Sequence, residues 1–238
     1  MKKNSAIPMS SPEEATRAKL LEVAGSVFAE HGYQAATVRE ICARAGANVA
    51  AVNYHFRDKM GLYEEVLRRS MCAAEHAEMR QALSAFKTPE EALRGLIAAM
   101  LHKMSRPGAS NFRIMAHEMA QPSPALASVV EDVLRPNYNK AREIIGKILH
   151  LDPDHDTTRL CAHSLIGQVV HYAHARPVIL LLWTDLKLTP ERVDQIAGHI
   201  ADFTLRSLHS LAAQNKAAQN KRKPARGGKH ARPANRRA

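Results

Sequence analysis

Apolar residues recur every three or four positions along most of this chain, the period of a helix that buries one face. Leu20, Leu21, Ala24, Val27 and Phe28 make the first stripe, Val38, Ile41, Cys42 and Ala45 the second, and Val49, Val52 and Phe56 the third. Local chemistry marks where helices begin. Ser11-Pro12-Glu13-Glu14 supplies a capping serine, a proline at the first helical position and a glutamate placed to complete a capping box. Thr37-Val38-Arg39-Glu40 and Thr88-Pro89-Glu90-Glu91 repeat that spacing, and Ser123-Pro124 and Thr189-Pro190 are simpler starts of a cap followed by proline. The pattern predicts about nine helices, at 12–31, 37–45, 48–56, 59–84, 89–104, 111–121, 124–149, 156–183 and 190–213. Kinks are expected near Pro136 and Pro177, where a helix loses a backbone donor. Strand-type runs of Val, Ile, Thr and Tyr are scarce, so the expected fold class is all-α.

Composition sharpens this picture in two places. The 238 residues, 45% of them apolar, are enough for one large domain or two modest ones with a substantial core. The formal charge of +11 sits in the tails. Nine Lys or Arg residues and no acid follow residue 214, and Lys2 and Lys3 stand in the N-terminal arm, which leaves 23 basic residues against 23 acidic ones in the body. Residues 214–238 hold no bulky apolar side chain and are expected to be a disordered basic tail, residues 1–11 a flexible arm. Such tails suit an anionic partner through counterion release, or are plain solvated extensions. No run of about 18 apolar residues and no secretory apolar core is present, so neither a membrane span nor export is expected. Cys42, Cys72 and Cys161 form no C-x-x-C pair, which fits a reducing compartment; the expected location is cytoplasmic.

The window 16–63 carries the chemistry. His31-Gly32-Tyr33 ends the first helix, with Gly32 free to adopt a left-handed conformation. The second helix is followed at once by Gly46, and a third short helix starts two residues later: a helix-turn-helix. With Val49, Val52 and Phe56 facing the core, Asn48, Ala50, Ala51, Asn53 and Tyr54 point outward. Small residues let the backbone approach a groove floor, and Asn53 and Tyr54 can bond base edges or phosphates.

The run from Thr37 to Gly46, T-V-R-E-I-C-A-R-A-G, followed by V-N-Y-H-F-R-D-K-M-G-L-Y from Val52 to Tyr63, resembles the N-terminal domain of TetR-family transcription regulators. Asn48 to Phe56, and Arg113 to Pro124 downstream, resemble the CecR-type subgroup. The resemblance implies a DNA-binding unit over 12–58 followed by a helical ligand-binding and dimerisation domain over 59–213. Carried onto this chain, it implies that Thr37 and Lys59 reach phosphates, that Arg39 touches a phosphate or a base, and that His55 contacts the backbone. Asn48, Ala50, Asn53 and Tyr54 form the groove-facing set. Many members carry Tyr where this chain has Asn53, so the phosphate contact that such a Tyr makes is not carried over. Tyr54 packed on the fourth helix, His55 in the core and Lys59 as a solvated cap remain open as plainer roles.

Dimerisation has its own sequence support. Leu160, Ala162, Leu165, Ile166, Val169 and Val170 line one late helix, and Val193, Ile196, Ile200, Phe203, Leu205 and Leu208 the other. Two such helices from each protomer would make a two-fold four-helix interface, unless both serve only the monomer core. Polar or aromatic groups on otherwise apolar helices are candidates for an effector pocket: Arg113, His117, Tyr138, His163, Gln168, His171 and Tyr172. His171 and His174 share a helix face, but Cys161 lies nearly three turns from His171, so no metal site is expected, and no cofactor. No catalytic motif is present; His117 and Glu118 are neighbours on one helix and diverge by ~100°. The expectation is a non-enzymatic, homodimeric regulator that binds double-stranded operator DNA, a repressor released by a small-molecule effector. The alternative is a DNA-binding regulator without a small ligand, controlled by a protein partner or a metal.

Overall fold

The computed structural model describes residues 11–71, 79–105 and 110–222, and every regular element among them is helical. The chain runs α1 (Pro12–Ala35), α2 (Val38–Ala45), α3 (Val49–Phe56), α4 (Lys59–Ser70), helical residues 79–83 as α5, and α6 (Pro89–Ser105). It continues through α7 (Ser110–Ala120), α8 (Ala125–Val129), a π-helical turn (Val130–Leu134), α9 (Arg135–Leu149), α10 (Asp156–His174), α11 (Arg176–Leu182) and α12 (Pro190–Arg222). No single helix among the described residues is long and apolar enough to cross a membrane.

Most helix starts follow the local chemistry, but Ser123 does not cap α8: that helix starts after Pro124 with no side-chain cap bond, and the buried Ser123 hydroxyl finds no partner among the described residues. At Ser11 both halves of the capping box form: the Glu14 N–H donates to Ser11 Oγ at 3.2 Å, and the Ser11 N–H donates to Glu14 Oε2 at 2.9 Å. At Thr37 only half forms. Its Oγ1 accepts the Glu40 N–H at 3.2 Å, while the Glu40 carboxylate turns to Arg44 at 2.8 Å. Gly46 takes the left-handed conformation (φ 66°, ψ 32°) between α2 and α3. Gly32 also has positive φ (70°), but with ψ 178° it lies in a region open essentially to glycine alone, and it breaks the last turn of α1.

The two prolines shape their helices by different routes, and only Pro177 marks a sharp bend. Before Pro136 the helix widens into the π turn Val130–Leu134 and carries on as α9; a proline has no N–H for the ordinary ladder, and the wider turn absorbs that loss. Before Pro177 the helix stops at His174, and α11 leaves α10 at 72°. The fourth helix does not run unbroken to 84: α4 ends at Ser70, and the middle of the expected span lies outside the described residues.

The tail also departs from expectation. Residues 214–222, expected to be disordered, continue α12. Ala212, Ala213, Gln214, Lys216, Ala217 and Ala218 are strong helix formers, and extending a nucleated helix needs no new core. The remainder of the basic tail and the arm 1–10 lie outside the described residues.

Apolar side chains gather in two cores. The first joins Leu20, Val27, Phe28, Ile41, Val52, Phe56, Leu62, Tyr63 and Leu67 with Ile114 of α7, Ala125 and Val129 of α8, and Val133. It therefore extends past residue 58, the expected end of the DNA-binding unit, and is completed by helices of the region expected to bind ligand. The second core is built from α6, α9, α10 and α12 around Leu93, Ile97, Ile145, Leu165, Val169, Ile200 and Leu208.

That second core claims most of the stripe assigned to a dimer. Ala162, Leu165, Val169, Val193, Ile196, Ile200, Leu205 and Leu208 are buried inside the protomer. Helical periodicity identifies an apolar face without saying what covers it. Left outside are Leu160 and Phe203, together with α11, which buries no residue and exposes Leu181 (78%) and Leu182 (82%).

Candidate nucleic-acid interface

The exposed face of α3 is held by its neighbours on both sides. Val52 and Phe56 anchor the helix in the first core, and Asn48 Oδ1 caps it by accepting the Ala50 N–H at 3.0 Å. Asn48, Ala50, Asn53 and Tyr54 are exposed, as the sequence implied, with Tyr54 at 72%. Two positions exchange roles. Val49, expected in the core, is exposed, while Ala51, expected outside, packs against the core. Val49 begins the helix, where the supporting elements end, so its side chain projects past them.

Polar groups around α3 differ in how far they are already engaged. The Tyr54 hydroxyl donates to Glu13 Oε1 at 2.9 Å, and that acceptor pushes the phenol pKa up. The half-buried His55 ring packs edge-on against Tyr54 at 4.9 Å between centroids. Arg44 is neutralised by Glu30 and Glu40, each at 2.8 Å. Arg39, at the exposed start of α2, makes no ion pair among the described residues. Thr37 is exposed, with its Oγ1 occupied as the α2 cap. Arg57 ends α3 at φ 70° and ψ −50°, a strained conformation for a residue with a Cβ.

Lys59 opens α4 beside this face. Its ammonium donates to the Gln34 carbonyl at 3.3 Å and lies 4.5 Å from the centre of the Tyr33 ring. Burial pushes its pKa down. One bond to a carbonyl leaves two of the three ammonium donors for an anion. Asp58 caps the same helix by accepting the Gly61 N–H at 2.8 Å.

Behind Lys59 is a junction that the sequence did not disclose. The Tyr63 ring meets Phe28 at 4.7 Å and Tyr33 at 4.9 Å. Its hydroxyl donates to Oε1 of Glu118 on α7 at 2.6 Å, and the Ser123 N–H donates to Oε2 of the same carboxylate at 3.1 Å. Glu118 is 1% exposed. Burial first, and the Glu118 acceptor second, push the Tyr63 phenol far up. The neighbouring His117 covers Gly32, where a Cβ would stand 3.0 Å from its Nδ1. The divergence of His117 and Glu118 sends them to two different helices, His117 to α1 and Glu118 to α4. The sequence signal available was an acid set among Ile114, Met115, Ala116, Met119 and Ala120 of α7.

The seven effector candidates do not share a cavity. Arg113 and His117 face Ala29, Glu30 and His31 of α1 across a cleft of about 550 Å³. Tyr138 and His163 bond to one another at 3.2 Å between α9 and α10. Gln168 donates to the Ser164 carbonyl on its own helix, His171 is exposed, and Tyr172 packs against the second core. Pairs three to eight residues apart on a helix cannot reveal which neighbour each will face. Among the described residues no three His, Cys, Asp or Glu groups converge to hold a metal.

Comparison with known proteins bears on this geometry. Residues 20–66 match the family described as "Bacterial regulatory proteins, tetR family", and residues 89–208 match "HTH-type transcriptional dual regulator CecR, C-terminal domain". The chain is similar to the HTH-type transcriptional dual regulator CecR of Shigella flexneri, 29% identical over 187 residues, covering 72% of this chain and 82% of that protein. It is also similar to the HTH-type transcriptional repressor KstR2 of Mycobacterium tuberculosis, 36% identical over 83 residues, 35% of this chain and 41% of that protein. Among solved structures, the TetR-family regulator SCO4454 from Streptomyces coelicolor superposes with a TM-score of 0.62 at 18% identity, over 82% of this chain and 97% of that one. FadR from Bacillus subtilis, in complex with stearoyl-CoA, gives a TM-score of 0.61 at 14% identity, over 79% and 97%. These two likenesses concern the fold.

Proposed function

The chain belongs to the TetR family of bacterial transcription regulators, with a CecR-type C-terminal domain, and from that premise we propose that it is a homodimeric repressor released from its operator by a small molecule. The observation that carries the DNA-binding part is the exposed, well-anchored face of α3, flanked by Arg39, which makes no ion pair among the described residues, and by Lys59 with donors to spare. Asn53 and Tyr54 read base edges from the groove; Asn48 and Ala50 border them. Thr37, Arg39, His55 and Lys59 meet the phosphate backbone and fix the register. Tyr54 exchanges its bond to Glu13 for one to DNA.

The DNA-binding unit ends near residue 58 in this reading, and the remainder to about 213 serves the effector and the dimer, with α4 packed in the first core and so tied to the reading head. Two reading heads need a separation of about one DNA turn, ~34–36 Å. Leu160, Phe203 and the exposed apolar side chains of α11 are the surface left for the second protomer. Replacing Leu181 and Leu182 by Glu should yield monomers in sedimentation; unchanged dimers would exclude α11 from the interface. The effector site includes Arg113 and His117, because their cleft lies between α7 and α1, the first helix of the reading head. The chain is a binding protein that acts in the cytoplasm, where its DNA is.

Fluorescence anisotropy against the host's intergenic fragments and scrambled controls, over a salt series, tests the function. Preference for a discrete fragment that survives rising salt is the expected result; equal binding to all fragments refutes sequence reading. Thermal shift with carboxylates, phosphates and acyl-CoAs tests the effector. Silence across that panel favours control by a protein partner or a metal.

A further inference from the structure

We propose that His117 and Glu118 of α7 act together as positioning residues for Lys59, by gripping the Gly32–Gln34 segment that holds its ammonium. The inference rests on reading Lys59 as a phosphate contact. It follows from two independent paths that leave adjacent residues and end on adjacent positions, Gly32 and Tyr33, next to Gln34.

The first path is steric. The His117 ring lies over Gly32 so closely that even a methyl group there would stand 3.0 Å from Nδ1 and 3.2 Å from Cγ. Gly32 holds a backbone conformation open essentially to glycine, so the chain at this point is shaped to admit the ring. The second path is polar and aromatic. The buried Glu118 carboxylate takes the Tyr63 hydroxyl at 2.6 Å, and Tyr63 in turn lies 4.9 Å from Tyr33. Tyr33 and Gln34 then fix Lys59, one through its ring face at 4.5 Å and the other through its carbonyl at 3.3 Å. Glu118 is itself held from the far side by the Ser123 N–H at 3.1 Å. A buried carboxylate with two defined donors has little freedom, so a shift of α7 is passed on to Tyr63 and not absorbed. Arg113 and His117 line the cleft on the same helix, so a molecule seated there would bear on the arrangement that presents Lys59.

The test is a double-mutant cycle on the full-length protein, read by DNA affinity as a function of salt, with thermal unfolding as the control for folding. Lys59→Gln removes one phosphate contact per protomer, two per bound dimer, and should flatten the log–log salt slope by about 1.8. Glu118→Gln keeps the shape but cannot accept both donors; it should flatten the slope by a similar amount although the residue is buried. Tyr63→Phe keeps the rings, removes the hydroxyl, and serves if Glu118→Gln does not fold. In the Lys59→Gln background either change should alter affinity by less than about twofold. If Lys59→Gln leaves the slope unchanged, the phosphate reading and this inference fall together. If it flattens the slope while Glu118→Gln and Tyr63→Phe do not, or if their losses multiply with that of Lys59→Gln, the phosphate reading stands and the positioning role is overturned.

Discussion

Replacing Gly61 by Ala should disable the reading head with a single methyl group. Gly61 lies in the first turn of α4, and its N–H is already committed to Asp58 Oδ1 at 2.8 Å. A Cβ on this residue would stand 2.0 Å from the carbonyl oxygen of Phe56, the last residue of α3. Ordinary contact is near 3.5 Å, so the two helices must part by roughly 1.5 Å. The obstacle is backbone, which cannot swing aside as a side chain would. Phe56 is buried in the first core, so the displacement either strains that core or pushes α3 out of place. Overpacking of this kind costs about 1–3 kcal/mol. Urea unfolding monitors stability, and anisotropy at a temperature where the variant remains folded monitors DNA binding. The expected outcome is a stability loss in that range together with a larger fractional loss of sequence-specific affinity than of non-specific affinity. A variant with an unchanged urea midpoint and unchanged specificity would refute the α3–α4 spacing on which the reasoning depends.

Three further outcomes are expected. Gly32→Ala should cost about 1–3 kcal/mol from backbone strain, and adding His117→Ala should recover only the part due to the contact with the ring; an unaltered urea midpoint for Gly32→Ala would contradict this. Arg57→Gly relieves a positive φ and should raise stability by about 1 kcal/mol, less the greater freedom of glycine in the unfolded chain; a clear fall in the midpoint would count against the strained conformation. Arg142 first, and Arg159 with it, hold the Asp154 carboxyl below the usual carboxylate range. A depressed folded-state pKa gives stability that is present above the ordinary carboxylate value and lost as pH falls through the depressed one. Asp154→Asn should therefore be less stable than the parent at neutral pH, with the difference closing in acid; a gap that persists at the lowest pH would mean that the effect is not ionic.

What was legible in the sequence was local. Ser11, Thr37, Thr88 and Thr189 announce their helices because a cap bonds three residues away, within reach of short-range chemistry. Pro177 announces a break because it cannot continue the ladder. The outward set on α3 followed from the anchoring of Val52 and Phe56, though periodicity misplaced Val49 and Ala51 where the supporting core runs out. The stripe on α10 and α12 was visible as apolar but not as internal, since burial depends on α6 and α9 arriving to cover it. The Tyr63–Glu118 bond spans 55 residues, and no local spacing encodes such a pairing. The same holds for the effector candidates: each helix shows its polar residues, and only tertiary packing decides which of them meet.

The most direct test of the central claim, that α3 reads DNA sequence in a two-fold assembly, is selection of binding sites by the full-length protein from random duplex DNA, repeated with Asn53→Ala. The account predicts an enriched inverted repeat with half-site centres about one helical turn apart, and a loss of preference at one base pair in each half-site for the variant. No enriched sequence, or the same enriched sequence at full strength for the variant, would contradict it.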